Sequence, residues 1–530
     1  MDSEQTHDLD GSVIWKPFAA IIFAAQALFS AGLCIKAFSL GMIPEKYLLG
    51  LAIALWFLLM LTALLVFVGA GRSLSMPLII KRSAAVILAA VICFLSFTGY
   101  RALSSVRTAV DEVTTVNEAS GEMPAATMNL YVIAKDRAKT AADCRSYVIG
   151  TAIGENARYS KAALNKMSAE TGTAVQSREY GSEEELIGAL YRGKVQALMI
   201  NSAKAEVLTE TVEFQGFIGK ARLIREYDIT DADLEFIPGG SERDDTEPSG
   251  TKATNPVQGD TAVEGGITTT PFILYISGSD TRDKKFKTSR SDVNILMVIN
   301  PKTKQILLLN TPRDYYIPNP KSHEGERDKL THLGLYGVDC SMQGLGDLYG
   351  CTVNYSAQIN FTGLETLVDE LGGITVDNPR EFSVVNGYHY KKGKITLNGK
   401  EALAYARERH AFASGDNMRG QNQMRIITAI INKATSSKSK VLMNYSGILN
   451  ALSGMFKTSL PSSDIEKLVK MQLNDKAQWN IKTYAVTGRD GSETTYSSPK
   501  YKAYVMWPDD KSVATGAGKI KMVMNGSKLQ

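Results

Sequence analysis

Three uncharged apolar runs in the first hundred residues constrain this chain more than any other feature. They extend from about Pro17 to Ile35, Tyr47 to Ala70 and Ala84 to Tyr100, with Lys36 at the edge of the first. Each has roughly the 17–25 residues a helix needs to cross about 30 Å of hydrocarbon. Inside a bilayer every backbone polar group must be satisfied within its own segment, so three membrane-spanning helices are expected. A cleaved signal peptide does not fit, because no short apolar core precedes a small-residue cleavage site and two further spans follow. The connection between the second and third runs, GRSLSMPLIIKRS, carries Arg72, Lys81 and Arg82 and no acid. The first connection carries Lys36 and Lys46 beside Glu45. Cytoplasmic loops collect positive charge, which Arg101 and Arg107 oppose only weakly. The N-terminus is therefore expected in the cytoplasm and everything after about residue 101 outside, in a multi-pass protein of a plasma membrane.

At 530 residues the chain has room for two to four domains. A net charge of +4 is too small over this length to suggest a nucleic-acid partner. No basic run, zinc-ligand spacing or phosphate-binding glycine loop is present, and the five Cys form no CxxC pair. After the membrane region (1–110), residues 111–236 read as a small accessory α/β domain. MNLYVIA, SYVIGT, AVQSREY and VQALMINS are strands, and SKAALNKMSAETG and SEEELIGALYRG are helices. Ser182 caps the second helix, with Glu185 completing a capping box. Such alternation predicts a largely parallel sheet. Residues 237–267 are a linker, because Gly239 to Gly266 has no aromatic residue and is dominated by Ser, Thr, Gly, Pro and acids. Residues 268–530 read as a larger α/β domain. PFILYISGSD, VNILMVIN, QILLLNTP and YSAQINF are its strands, and FTGLETLVDELGG, NGKEALAYARERH and GQNQMRIITAIINKA its helical segments. CSMQGLGDLYGC reads as helix, which would hold the Cα atoms of Cys340 and Cys351 about 15 Å apart, so they are expected to stay unbonded.

In this last domain the charged residues gather where strands end. Asp280 and Arg282 follow the first strand, Arg290 and Asp292 enter the second, and Arg313 and Asp314 leave the third. Strand ends of an open α/β sheet are where ligand clefts form. AYARERHAFASGDNMRGQNQ adds Arg407, Arg409 and Arg419. If AYARERH were a strand, Arg407 and Arg409 would share a face and repel by roughly 2 kcal/mol at an effective dielectric near 20. Arginine in excess suits phosphate, whose oxygens its planar fork binds bidentately. Asp280 and Asp292 beside a diphosphate call for a hard cation between them, and Mg²⁺ is the usual one.

Taken together, GSDTR, RSDVNILMVIN, NTPRDYYIP, DKLTHLGLYGVD, INFTGLETLVDELGGITVD, LNGKEALAYARER and GDNMRGQNQ resemble, in order over about residues 270–430, the LytR-CpsA-Psr family. The three spans and accessory domain resemble its capsule-associated members. The resemblance implies an α-β-α sandwich catalytic domain with a mixed central sheet. It implies a cell-surface phosphotransferase of mainly Gram-positive bacteria. Such an enzyme moves a glycopolymer from an undecaprenyl diphosphate carrier onto peptidoglycan, forming a cell-wall or capsule phosphodiester. By position, Asp280 and Asp292 correspond to the family's Mg²⁺-associated acids. Arg290, Arg313, Arg407, Arg409 and Arg419 correspond to its diphosphate-binding arginines, and Gln423 to a polar residue on the same helix. Arg282 and Lys329 join the substrate contacts, Asp314 sits in a family-like motif, and Asp292 is the candidate proton acceptor. Where the family often has Arg-Gln, this chain has Asn422-Gln423. The isoprenoid tail would need an apolar groove between the sheet and helices such as FTGLETLVDEL. Hydrolysis of the lipid diphosphate at the same site is one alternative, and a non-catalytic envelope regulator is another.

Overall fold

A computed structural model describes residues 11–529 apart from 69–75, 115–125, 154–155, 209–215, 231–232, 235–264, 280–288, 323, 385–386, 410, 412–414, 437–447, 449–450, 453 and 476. The expected linker lies almost wholly outside the described residues. The chain forms two compact units. One gathers residues 1–113 with 433–453 and 461–478; the other gathers 114–432, 454–460 and 479–530.

In the first unit the apolar runs are helices α1 (Gly11–Ser39), α2 (Glu45–Phe67) and α3 (Met76–Thr114). All three are long and apolar enough to cross a bilayer, over Trp15–Ser39, Glu45–Phe67 and Met76–Thr108. The third begins earlier than expected, so Lys81 and Arg82 lie in its second turn and not in the loop. Lys81 Nζ donates to the Val68 carbonyl at 2.8 Å, and Arg82 stacks 4.5 Å over the Trp15 ring. Both cations thus stay at one end of the bundle, with the start of α1 and the end of α2. Helix Ser462–Asp475 also belongs to this unit. Its Val469 packs with Leu40, Met42, Leu103, Val106 and Val110, and Lys470 Nζ lies 3.4 Å from Glu45.

The second unit contains two sheets. The accessory sheet comprises β1 (Ala126–Ile133), β2 (Val148–Ala152), β3 (Gln176–Tyr180), β4 (Ala197–Asn201) and β5 (Ala221–Ile229), ordered β3-β2-β4-β1-β5. Helices α4 (Ala157–Thr171) and α5 (Glu183–Tyr191) close its two faces, Met167 packing with Leu130 on one and Leu186 with Leu198 on the other. The sheet is mixed and not largely parallel. β2 runs parallel to β3 and β4, but β1 runs antiparallel to β4 and to β5. A parallel β1–β2 step needs a crossover helix, and that connection holds only the 3-10 turn Ala142–Cys144. Ser182 Oγ accepts from Glu185 N at 3.3 Å as expected, but Glu185 accepts from Gly181 N at 3.1 Å, one residue before the cap.

The larger sheet is built from β6 (Phe272–Ser279), β7 (Val293–Asn300) and β8 (Gln305–Asn310), followed by a ribbon of β9 (Tyr316–Pro318) and β10 (Arg327–Lys329). After β11 (Tyr355–Asn360), β12 (Ile374–Asn378) pairs with β15 (Gly393–Leu397), and β13 (Phe382–Ser383) with β14 (His389–Tyr390). β16 (Phe456–Thr458) and β17 (Asn480–Ala485) complete the sheet, and β18 (Gly488–Thr495) and β19 (Ser498–Pro508) form a long hairpin. The order is β16-β11-β6-β7-β8-β17. β6–β11 and β8–β17 are parallel and the other pairs antiparallel, the mixed sheet the family resemblance implies.

Side chains alternate across each strand. One face, with Tyr275, Leu296, Val298 and Leu309, packs against helices α6 (Val338–Tyr349) and α10 (Asp510–Met524) through Leu345, Tyr349, Ile520 and Val523. The other face meets α7 (Phe361–Glu370), α8 (Gly399–Arg407) and α9 (Gly415–Ser436). An α-β-α sandwich results. Cys340, in the first turn of α6, and Cys351, just past its end, are free thiols, as expected, and burial pushes them up to about 12 and about 11.

Candidate functional site

The strand ends converge. The Asp292 amide, one residue before β7, donates to Gly278 on β6 at 2.8 Å. The carbonyl of Arg313, just beyond β8, accepts from Thr331 N at 2.8 Å, and Thr331 O accepts from Ser291 N at 3.2 Å. Four charged side chains then link in series. Arg313 Nη1 lies 2.7 Å from Asp292 Oδ1, Arg313 Nε 3.4 Å from Asp314 Oδ2, and Lys329 Nζ 3.5 Å from Asp314 Oδ1. Side-chain exposure is 15% for Asp292 and 21% for Arg313 but 10% for Asp314 and 5% for Lys329. The outer pair can meet a ligand. Lys329, expected among the substrate contacts, sits behind it, bound to Asp314.

Beside this pair lies an apolar cavity of about 260 Å³ between the sheet and α7, α8 and α9. Leu274, Ile276 and Met297 form its floor, Leu364 and Leu367 one wall, and Ile426, Ile427, Ile430 and Ile431 another. Its polar lining residues are Ser279, Asn360, Arg407 and Gln423. The N-terminus of α7 is at this polar end: Asn360 Oδ1 caps it, accepting from Gly363 N at 2.8 Å. The helix dipole there favours an anion. The Arg407 guanidinium stands 4.5 Å over the Phe361 ring. Fixed in this way, it reaches the cavity, and among the described residues no acidic side chain pairs with it.

The strand premise for Arg407 and Arg409 does not hold. AYAR is the last turn of α8, begun by Asn398 and Glu401 in a complete capping box, and the chain turns extended only at Glu408. Alternation with period two therefore does not relate the two arginines. Arg409 is exposed just after Glu408, whose Oε1 accepts from Ala411 N at 2.8 Å. Arg419, half-buried, lies one turn before Gln423 on α9. The neighbouring Gly420 touches the strand end directly, since a Cβ there would run into the side chain of Asn310. That close approach brings Arg419 beside the end of β8. Asn422 is only 1% exposed and faces inward; its Nδ2 donates to Tyr405 O at 3.2 Å. Position 422 is thus part of the packing behind α8, and Gln423 is the residue that lines the cavity.

Arg290 is half-buried, two residues before Asp292. Asp280 and Arg282 lie outside the described residues. Among the described residues no group of three or more His, Cys, Asp or Glu side chains could hold a metal ion. Asp292 is the described member of the expected acid pair. A single carboxylate can serve Mg²⁺, which takes one or two carboxylates and fills its remaining positions with phosphate oxygens and water.

A second polar cluster escaped sequence reading. Asp328 Oδ1 lies 2.7 Å from His332 Nδ1, and its Oδ2 accepts from the amide and hydroxyl of Ser497. All three residues are at most 3% exposed. Burial alone would raise the Asp328 pKa; the facing His332, the Ser497 hydroxyl and the Lys329 amide outweigh it and hold the carboxyl below its ordinary range. The four-residue spacing of Asp328, on β10, and His332, in the short helix after it, was the available signal. Ser497, far away in sequence, gave none.

A family model described as the LytR_cpsA_psr family matches residues 241–511. The polyisoprenyl-teichoic acid–peptidoglycan teichoic acid transferase TagU of Enterococcus faecalis is 36% identical over 200 residues, covering 37% of this chain and 64% of that protein. The protein of the same name from Bacillus subtilis is 34% identical over 214 residues, covering 40% and 63%. The chain thus spans just under two thirds of the length of these relatives. The crystal structure of B. subtilis TagU is 29% identical, with 49% of this chain and 99% of that one covered and a TM-score of 0.38.

Proposed function

This chain belongs to the LytR-CpsA-Psr family, and from that premise we propose that it is an extracytoplasmic phosphotransferase moving a glycopolymer from a polyprenyl diphosphate carrier onto peptidoglycan. The observation that carries the reading is the join of two environments: an apolar cavity whose polar end holds Arg407, Gln423 and the start of α7, beside the half-buried Asp292–Arg313 pair. A lipid diphosphate has the same two halves. The related TagU proteins carry a transferase of this class in their names. Three apolar helices would hold the chain in the membrane that supplies the lipid, with the N-terminus in the cytoplasm and the catalytic domain outside.

The isoprenoid tail lies along Leu364, Ile427 and Met297, shielded from water. Arg407, Arg409, Arg419 and Arg290 hold the diphosphate, with Gln423 donating beside Arg407. The acceptor hydroxyl attacks the polymer-side phosphorus, forming a new O–P bond. The P–O bond to the lipid-side phosphate breaks, and polyprenyl monophosphate leaves. Its charge is stabilised by guanidinium groups already in place, the usual main source of phosphoryl-transfer catalysis. Arg313 engages Oδ1 of Asp292, and the hydroxyl proton goes to the carboxylate's second oxygen. Mg²⁺ held by Asp292, with Asp280 as its expected second acid, would neutralise diphosphate charge.

The test reconstitutes the full chain in vesicles with a polyprenyl diphosphate-linked glycan, peptidoglycan fragments and Mg²⁺. A phosphodiester-linked product and polyprenyl monophosphate are expected. Glycan phosphate released to water with acceptor present would replace transfer by hydrolysis, and an untouched diphosphate would overturn the reading.

A further inference from the structure

The accessory domain has two well-packed faces, and no role for it follows from the proposed chemistry. Its own ligand crevice, at the ends of β2 and β4, is where an open α/β sheet would bind something. Part of the β18–β19 hairpin region of the catalytic domain lies there instead. Lys204, in the short helix Ser202–Leu208 that follows β4, donates from Nζ to the Ser497 carbonyl at 2.8 Å. Lys500 Nζ lies 3.6 Å from Glu184 on α5, and Tyr501 packs against the core shared by Leu186, Leu190 and Leu198.

Ser497 is also the residue that grips Asp328. Its amide donates at 3.0 Å and its hydroxyl donates to the same carboxylate oxygen, while Tyr336 meets that hydroxyl at 3.0 Å. Asp328 accepts from the amide of Lys329 at 2.9 Å. The Lys329 ammonium then binds Asp314, Asp314 binds Arg313, and Arg313 binds Asp292. An unbroken series of polar contacts therefore runs from the accessory domain to the proposed proton acceptor. Most of its middle members are buried, where a displaced charge finds no water to compensate it.

We propose that Ser497 is a positioning residue for the Asp292–Arg313 pair, and that the accessory domain, through Lys204, holds Ser497 in place. The inference rests on the transferase reading, because it supposes that Asp292 and Arg313 act in the reaction. It gives the accessory domain an occupied crevice and a mechanical role in place of a separate ligand. The test measures the coupling between the two ends directly.

Full-length protein in vesicles is assayed for glycan transfer with Ser497→Ala, Lys204→Met, their double variant, and Lys204→Arg, which keeps a donor for the carbonyl. Ser497→Ala should lower kcat roughly tenfold and Lys204→Met roughly threefold, with KM for the lipid substrate unchanged, as expected when a buried hydrogen bond orients a reacting group. The double variant should be no slower than Ser497→Ala alone, because both act through one link. Lys204→Arg should restore the rate. Melting curves correct each rate for folded fraction. Unchanged kcat in the single variants, or losses that multiply in the double variant, would overturn the proposal. Lys204 is half-buried, so its variants keep the test open even if Ser497→Ala fails to fold. Wild-type protein that transfers no glycan would instead overturn the underlying reading.

Discussion

The two faces of the six-stranded sheet are made by the same strands yet end differently. Alternation makes both apolar: Tyr275, Leu296 and Leu309 on one, Leu274, Ile276 and Met297 on the other. The first is packed shut. α10 comes so close that a Cβ on Gly516 would stand 3.0 Å from Leu309 Cδ1 and 3.3 Å from Tyr349. The second stays open, because α7, α8 and α9 make a cavity over it and touch the frame at its ends, as Gly420 does against Asn310. Interiors normally pack without voids larger than water. An apolar space of this size, with an arginine at its edge, is what the proposed lipid diphosphate substrate calls for. The difference lies in the helices; the strand pattern is common to both faces.

The largest expected effect falls on the edge of the open face. Arg407→Ala should cost about 10²- to 10³-fold in kcat, the usual loss for one charge-stabilising donor. Its melting temperature should hardly move, because no buried ion pair breaks. Arg409→Lys should fail nearly as badly as Arg409→Ala, since Lys keeps the charge without the fork. A large drop in melting temperature with activity kept per folded molecule would make these arginines structural.

Truncation separates the faces next. Leu296→Ala, on the closed face, should lower unfolding free energy by about 2–5 kcal/mol. Leu364→Ala, on the cavity wall, should cost less than about 1.5 kcal/mol, since that side chain already borders empty space. Equal losses in urea titrations would mean that the cavity closes in solution.

Filling gives the opposite signs. Gly516→Ala should destabilise by about 1–3 kcal/mol through overpacking. Ala357→Leu, projecting into the cavity, should leave stability unchanged or raised while increasing KM for lipid substrate roughly tenfold, the effect of about 1.4 kcal/mol of lost binding.

The smallest effect concerns pH. Asp328 is held below its ordinary value of 3.8 when folded, so its contribution is complete above that pH and is lost as pH falls through the lower folded value. His332, Ser497, Asn319 and the Lys329 amide face it. Asp328→Asn should be less stable at neutral pH, and its deficit against wild type should shrink in acid. A deficit independent of pH would assign Asp328 a packing role only.

Sequence made one face of this contrast more visible than the other. β6, β7, β8 and β11 were legible as apolar runs, and the arginines as motif residues at strand ends. The hairpin was not: GRDGSETT has no apolar alternation because β18 pairs with β19 alone and stays largely in water. β1 looked parallel because its antiparallel partner β5, with scattered charges, did not read as a strand. The cavity wall was hidden for a different reason. Ile426, Ile427, Ile430 and Ile431 form the stripe that any core-facing helix shows, and periodicity reports that a face is apolar without saying whether anything fills the space opposite. The link from Ser497 to Asp328 depends on residues distant in the chain, which no local pattern records.

The most direct test of the open face is a structure of the full chain with a polyprenyl diphosphate and Mg²⁺ bound. The isoprenoid should lie between Met297, Leu364 and Ile427, with its diphosphate at Arg407 and Gln423 and the bound metal touching Asp292. A lipid seated elsewhere, with this cavity collapsed or filled by its own side chains, would contradict the account.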